Sequence, residues 1–292
     1  MDDIIVIVGP TGVGKTKLSI ELAKIYDAEI INGDSVSIYK GLDIGSAKPS
    51  ILERDGIIHH LMDICDVNDN YTVFDYQRDT RNLIDDIISR GKRVIIVGGS
   101  GLYIKAALYD YRFEKEKNNN SYDNLSNQEI MDKILKYTDK VDVHINNRRR
   151  LVRILNKYEN NEKFTSNKDQ LLYPCKVIGL TTKRDILYER INKRVDLMIK
   201  NNLIGEVNGF KMFYKTSRIL NSAIGYKEFY DYLFNGSSVD DVVSKIKLDS
   251  RRYAKRQYTF FKHQFNTVWF DVNFDNFSET VKAVSDYIKN NT

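Results

Sequence analysis

Gly9-Pro10-Thr11-Gly12-Val13-Gly14-Lys15-Thr16 is the stretch whose reading decides the fold. It matches G-x-x-x-x-G-K-[ST] in full. The β-branched run at 4–8 precedes it and reads as a strand. A helix with Leu18, Leu22 and Ile25 on one stripe follows it. Strand, glycine loop and helix together are the context the motif requires. The glycines let backbone N–H groups turn inward around phosphate oxygens, and the helix N-terminus adds partial positive charge. Lys15 is expected to contact a terminal phosphate, and the Thr16 hydroxyl to ligate Mg²⁺. The loop predicts a di- or triphosphate ligand, as in nucleotide- and ATP-binding proteins. It does not by itself predict hydrolysis.

Further along, 28–31 reads as a second strand, closed by Asn32-Gly33-Asp34-Ser35. A helical pattern over 72–90 carries Leu83, Ile84, Ile87 and Ile88 as its apolar stripe, with Gly91 as its stop. A buried type of strand at 94–97 ends in Gly98-Gly99. Strands alternating with helices predict an α/β fold: a P-loop NTPase-like parallel sheet with helices on both faces.

The composition changes after Phe113. Asn118, Asn119, Asn120, Asn127, Asn146, Asn147, Asn156, Asn160 and Asn161 make this region Asn-rich and weakly apolar. It is expected to be a helical insertion over 113–171, with helices near 127–137 and 147–158. That divides the chain into a first part of the core at 1–112, the insertion, and the rest of the core at 172–292. In the last part, 177–180 reads as a returning strand, and helices are expected near 184–200, 224–234 and 239–263.

The 292 residues suffice for such a core with an insertion. Hydrophobic residues make up 42% and charged residues 29%, which argues against global disorder. The two cysteines, Cys65 and Cys175, are too few for a disulfide scaffold or a cysteine-only zinc site and fit a reducing compartment. The opening MDDIIVIVGP has the wrong charge and too short an apolar run for a secretory signal, and no stretch approaches a membrane span. A cytoplasmic protein is expected.

Ligands in an open α/β sheet bind beyond the carboxyl ends of the strands. Asp34, Ser35 and Ser100 arrive there together with the phosphate loop. A carboxylate beside a phosphate site is costly unless it has a task, such as accepting a proton. An ordinary turn or helix-capping Asp is the other reading of Asp34, and a plain tight turn the other reading of Ser100. His59-His60 is a weak metal pair, because adjacent side chains diverge and no third ligand lies nearby in sequence. No Asp ends the 94–97 strand as a magnesium ligand, and no Asn-Lys-x-Asp motif occurs, which disfavours motor ATPases and GTPases. A transferase with a diphosphate leaving group, or a small kinase, gains.

Lys and Arg outnumber Asp and Glu by 45 to 40, for a net charge of +5. What matters for nucleic acid is clustering. On a helix over 239–263, Ile246, Tyr253, Phe260 and Phe261 fall on one arc. Arg251, Arg252, Lys255, Arg256 and Lys262 fall on the opposite one. That face suits an RNA backbone, or it is simply solvated. Arg148, Arg149, Arg150 and Arg153 form a second cluster in the insertion. Arg190 and Arg194, four apart on one helix, are placed to reach a phosphate.

The chain resembles the tRNA dimethylallyltransferase (tRNA isopentenyltransferase) family over nearly its whole length. The resemblance rests on GPTGVGKT at 9–16, GDSVSIYKGLDIGSAKP at 33–49, HHLMDI at 59–64, VGGSGLY at 97–103 and RRRLVRIL at 148–155. It continues through LYERINKRVDLM at 187–198, AIGYKEF at 223–229 and RRYAKRQYTFFKHQ at 251–264. Their order and spacing are more specific than any one of them. Ser100 stands where Thr is usual, Ser37 where many members have Gln, Ser46 where Thr is usual, and Phe260 where Trp is usual.

The resemblance implies transfer of a dimethylallyl group from dimethylallyl diphosphate to the exocyclic amine of the adenine on the 3′ side of the anticodon. It implies Asp34 as general base and Ser100 as the hydroxyl near the reacting centre. Asp34, Ser35, Val36 and Ser37 would contact the target base. The implied partner is a tRNA anticodon stem-loop, met by the two arginine clusters. Mg²⁺ is the expected cofactor and a monomer the expected state. The rivals are an adenylate isopentenyltransferase acting on free AMP, ADP or ATP, a small-molecule kinase, and an RNA-binding P-loop switch.

Overall fold

The structure is a computed structural model that describes residues 4–113, 122–161 and 170–291. Asn118, Asn119 and Asn120 of the Asn-rich run lie outside the described residues, as do the first three residues of the opening segment. Two compact units emerge, one from Met1–Tyr109 with Gln170–Thr292, the other from Asp110–Asp169.

The first unit begins with β1 (Ile4–Val8), α1 (Lys15–Tyr26), β2 (Ala28–Asn32), the single-turn α2 (Ile51–Arg54) and a two-residue β3 (His59–His60). Then come α3 (Val73–Ser89), β4 (Arg93–Val97) and α4 (Gly101–Leu108). The second unit holds α5 (Asn127–Ile134) and α6 (Arg148–Glu159). The first resumes with β5 (Cys175–Thr181), α7 (Arg184–Lys200), α8 (Leu203–Gly209), α9 (Tyr230–Asn235), α10 (Val239–Gln264), β6 (Thr267–Asp271) and α11 (Phe277–Asn290).

Six parallel strands lie in the order β3-β2-β4-β1-β5-β6. After β1 the chain builds one side of the sheet and then the other. The direction therefore reverses at β1, and the crevice opens at its carboxyl end. Both faces are covered at the centre, so β1 and β4 read as near-continuous apolar runs. Alternate residues serve alternate faces. Ile4, Val6, Val8, Ile31, Val94 and Ile96 pack with Ile84 and Ile87 of α3 and Phe261 of α10. Ile5, Ile7, Ile30 and Ile95 pack with Leu18 and Leu22 of α1 and Val284 of α11. Each such burial stabilises by roughly 1.5–3 kcal/mol.

The helix starts follow local chemistry. Ser50, Thr72 and Ser126 cap α2, α3 and α5, each with the acidic residue three positions on bonding back as a capping box. In the second unit, Ile130, Ile134, Leu151 and Leu155 make a separate small core.

Three sequence readings are corrected. The helix expected over 224–234 is a 3₁₀ turn at Lys227–Phe229 followed by α9, and Gly225 with φ of 95° keeps its start out of the helix. The edge strands β3 and β6 and the helices α8 and α11 add elements that periodicity did not mark. The basic arc of α10 does not hold as one face: Arg251 turns toward α7 and donates to Asn192 Oδ1 at 2.6 Å.

Candidate active site

The phosphate loop leaves β1 through Gly9 and enters α1 after Gly14. Gly9, Gly12 and Gly14 have φ of 138°, 81° and 102°, a region L side chains rarely adopt. A Cβ on Gly9 would also lie 2.5 Å from the Leu180 carbonyl oxygen. Val13 is fully buried in the core, so it serves the loop by backbone alone. Lys15 Nζ donates to the carbonyls of Gly9 and Pro10, both at 2.9 Å. Burial, then the neighbouring Arg194 guanidinium, hold its ammonium down to about 7, while Asp34 pulls the other way.

Arg194, on α7, reaches the same place. Its Nη1 donates to the Thr11 hydroxyl at 2.8 Å and its Nη2 to the Ser46 carbonyl at 3.1 Å. Burial lowers its pKa and Asp34 opposes the shift. Arg190, one turn earlier, donates to the Gly12 carbonyl at 3.1 Å and stacks on Phe274. Two guanidiniums thus brace the phosphate loop.

Asp34 follows β2. Its backbone N–H donates to Asn32 Oδ1 at 3.0 Å, and its Oδ1 accepts from Val36 N at 2.9 Å. One carboxylate oxygen therefore does the work of a turn residue. The other lies toward Gly99, 3.9 Å from where a Cβ there would sit, and has no hydrogen bond among the described residues. The turn and the task are therefore compatible. The ends of β2 and β4 are pressed together: a Cβ on Gly98 would lie 2.1 Å from the Gly33 carbonyl carbon. Ser100, at the start of α4, accepts from Ser35 N at 3.0 Å and donates to Ser35 Oγ at 3.1 Å.

These groups meet at a cavity of about 370 Å³, lined by Thr11, Lys15, Thr16, Asp34, Ser35, Val36 and Ser37, with Gly98, Gly99 and Arg194. Ser100 sits just behind the Gly98-Gly99 wall. The far wall is α10, through Tyr253, Arg256 and Gln257. Sequence reasoning missed Gln257 and placed Tyr253 only on one arc of the helix, with Ile246, Phe260 and Phe261. Gln257 is 4% exposed, accepts from Thr11 N at 2.9 Å and donates to the Gly99 carbonyl at 3.1 Å. Tyr253 hydroxyl donates to the same carbonyl at 3.2 Å. A polar residue one helical turn beyond a tyrosine, both on the buried stripe, was the available signal.

The basic candidates separate. Arg252 and Lys255 are exposed, and Arg256 lies over the Tyr253 ring at the cavity edge. In the second unit, Arg148 is occupied internally, donating to the carbonyls of Leu125 and Tyr122 at 2.6 Å each. Arg149, Arg150 and Arg153 are exposed on α6. His59 and His60 part: His60 donates to Glu29 Oε2 at 2.7 Å and His59 Nδ1 to the Ile57 carbonyl at 2.9 Å. No group of three or more His, Cys, Asp or Glu suited to a metal occurs among the described residues. No helix among them is long and apolar enough to cross a membrane.

The arrangement offers a cationic, amide-rich end for a diphosphate and a carboxylate across the same cavity. Comparison with known proteins agrees with it. The model of the IPP transferase family matches residues 37–264. A tRNA dimethylallyltransferase of Bacillus subtilis is 45% identical over 286 residues, covering 92% of this chain and 90% of its own. One from Geobacillus thermodenitrificans is 44% identical, covering 98% and 96%. Among solved structures, a tRNA isopentenylpyrophosphate transferase of Staphylococcus epidermidis has 35% identity, a TM-score of 0.76 and 99% coverage of both chains. A eukaryotic dimethylallyltransferase described as acting on tRNA has 28% identity and a TM-score of 0.78, over 98% of this chain and 79% of that one. The chain belongs to the IPP transferase family, alongside the tRNA dimethylallyltransferases.

Proposed function

We propose that this protein transfers a dimethylallyl group from dimethylallyl diphosphate to the exocyclic amine of the adenine on the 3′ side of the anticodon in tRNA, releasing diphosphate. The observation that carries this is one cavity with Lys15 and Arg194 at one end and the Asp34 carboxylate facing the same space. Its volume lies within the range of small-molecule sites. In the reaction the amine nitrogen forms a bond to the allylic carbon, and the carbon–oxygen bond breaks. The electron pair leaves on the diphosphate, and a proton leaves the amine for Asp34. Loop amides, Lys15 and Arg194 stabilise the charge that gathers on the leaving oxygen. An adenine amine is a poor nucleophile, so a base in reach is worth typically 10²–10⁴-fold. The base must leave its stack to enter the cavity, where Asp34, Ser35, Val36 and Ser37 would receive it, with Ser100 behind the Gly98-Gly99 wall.

Mg²⁺ is the proposed cofactor, and the donor set fits it. Thr16, a hydroxyl residue, lines the cavity, with no carboxylate cage among the described residues. Mg²⁺ favours such sites, keeping water and phosphate oxygens as most of its ligands. When bound, it supplies further positive charge to the diphosphate. The exposed arginines of α6 and the basic residues of α10 are the proposed contacts to the anticodon stem-loop. A monomer is the proposed state, and the cytoplasm, where a tRNA substrate is met, the proposed location.

The test is transfer of labelled dimethylallyl to an anticodon stem-loop, to AMP, and without acceptor. Transfer to the stem-loop alone is expected. Equal efficiency with AMP would favour the adenylate enzyme.

A further inference from the structure

Two of the motifs that the reaction leaves unexplained, 41–49 and 223–229, are packed on one another. Glu206 of α8 joins them. Its Oε2 accepts from Asp43 N at 3.0 Å and Ile44 N at 2.8 Å, and its Oε1 accepts from Gly45 N at 3.1 Å. Three consecutive backbone N–H groups thus converge on one carboxylate. A fourth donor, the Tyr226 hydroxyl, reaches Oε1 at 2.7 Å. The fit tolerates no side chain: a Cβ on Gly45 would lie 2.6 Å from the Tyr226 ring, and one on Gly225 would lie 3.0 Å from the Gly45 carbonyl oxygen.

The next residue after this nest is Ser46, and its carbonyl is the acceptor for Arg194 Nη2. The other guanidinium nitrogen is held by Thr11 of the phosphate loop. Arg194 therefore stands between two supports, one on the phosphate loop and one on the loop that Glu206 closes. A charged acceptor serves this better than a neutral one, because bonds to an ionised oxygen are shorter and stronger. An amide in its place has one acceptor oxygen, and its NH₂ group would face backbone N–H donors.

We infer that Glu206 is a positioning residue for the transfer: by folding residues 43–45 around its carboxylate it sets the Ser46 carbonyl and so aims Arg194 at the diphosphate. This rests on the reading that Arg194 meets the donor's diphosphate.

The test is a double-mutant cycle on the full chain with saturating tRNA. Arg194→Lys alone is expected to raise the donor KM. Glu206→Gln alone is expected to raise it about tenfold, the loss of roughly one charge-assisted hydrogen bond, with tRNA affinity within about twofold. With Arg194→Lys already present, Glu206→Gln is expected to add little further. Tyr226→Phe keeps the ring and removes one donor to Glu206. It is expected to shift donor KM in the same direction by less, and it carries the same cycle if Glu206→Gln does not fold. Full multiplication of the two effects on donor KM would overturn the inference, as would equal losses in donor and tRNA binding. An unchanged donor KM in Arg194→Lys would remove the reading of Arg194 itself, and this inference with it, while leaving transfer to tRNA standing.

Discussion

The Gln257 side chain holds the backbone N–H of Thr11 at 2.9 Å, across 246 positions of sequence. Its amide group donates in the other direction to Gly99. One buried side chain of α10 therefore fixes the spacing between the phosphate loop and the wall behind Asp34. Gln257→Leu removes the partner of the Thr11 N–H and leaves the Gly99 carbonyl with the Tyr253 hydroxyl alone, at about 1–3 kcal/mol for a buried group that loses its partner. The expected outcome is a thermal midpoint several degrees lower and a loss of about tenfold or more in kcat/KM. Parental values of both in purified Gln257→Leu would show that the bracket is dispensable.

Lys15→Ala is expected to cripple transfer, because it removes a positive charge from the leaving diphosphate. Binding of tRNA should stay within a few-fold. Single-turnover transfer at saturating donor measures the first and filter binding the second. Near-parental turnover would remove Lys15 from the chemistry.

The depressed Lys15 ammonium, at about 7, adds a test in protons. Its charged form is favoured by a bound diphosphate, so binding at pH 8 must draw a proton onto it. Below about pH 6 the group is already charged and the uptake disappears. Calorimetric titration of the donor in buffers of different ionisation enthalpy reads this directly. The part due to Lys15 is the difference from Lys15→Met. Equal proton uptake in the two proteins at pH 8 would contradict the assignment.

Asp34→Asn keeps the shape of the turn, since an amide oxygen can still accept from Val36 N. It removes the proton acceptor. Transfer should fall by roughly 10²-fold or more with donor affinity little changed. If single-turnover chemistry proceeds at the parental rate, Asp34 is a turn residue and nothing more.

How much was legible in the sequence follows from how local each signal is. The phosphate loop, β1 and α1 are written in adjacent residues, so motif and periodicity found them. Arg184–Lys200 was found because Leu187, Ile191, Val195 and Met198 give it a buried stripe at helical spacing. The His59–His60 strand has two residues and offers no period to detect. Gln257 was invisible for another reason: its partners, Thr11 and Gly99, are brought to it by the sheet and not by spacing. Glu206 likewise is a lone acid in the stretch LIGEVNG at 203–209, and only the fold shows three backbone amides turned toward it. Arg251 was misplaced because an ideal helical wheel does not include α7.

That last correction decides where to probe the RNA surface. Arg251 donates to Asn192 and lies over Tyr188, so changing it disturbs the packing of α10 on α7 as well as any RNA. Arg252 and Lys255 are exposed on the same helix, and the nearest carboxylate to Arg252 is Asp249 at 3.7 Å. At that distance, with the arginine exposed and Asp249 already paired with Lys227 at 2.6 Å, the contact contributes little to stability. Arg252→Glu with Lys255→Glu should therefore leave the thermal midpoint and the donor KM near their parental values. An anticodon arm presents many phosphates, and each contact released contributes roughly 0.7–0.9 to the slope of log affinity against log salt. The double variant should bind the stem-loop more weakly and flatten that slope by one to two contacts' worth, about 0.7–1.8. Arg149→Glu with Arg150→Glu, exposed on α6, should do the same from the second unit. Binding titrations over a range of salt concentrations measure the slope for each variant. A slope unchanged in both double variants would place the RNA elsewhere on the molecule, and a salt-independent affinity in the parent would argue that the acceptor is a free nucleotide.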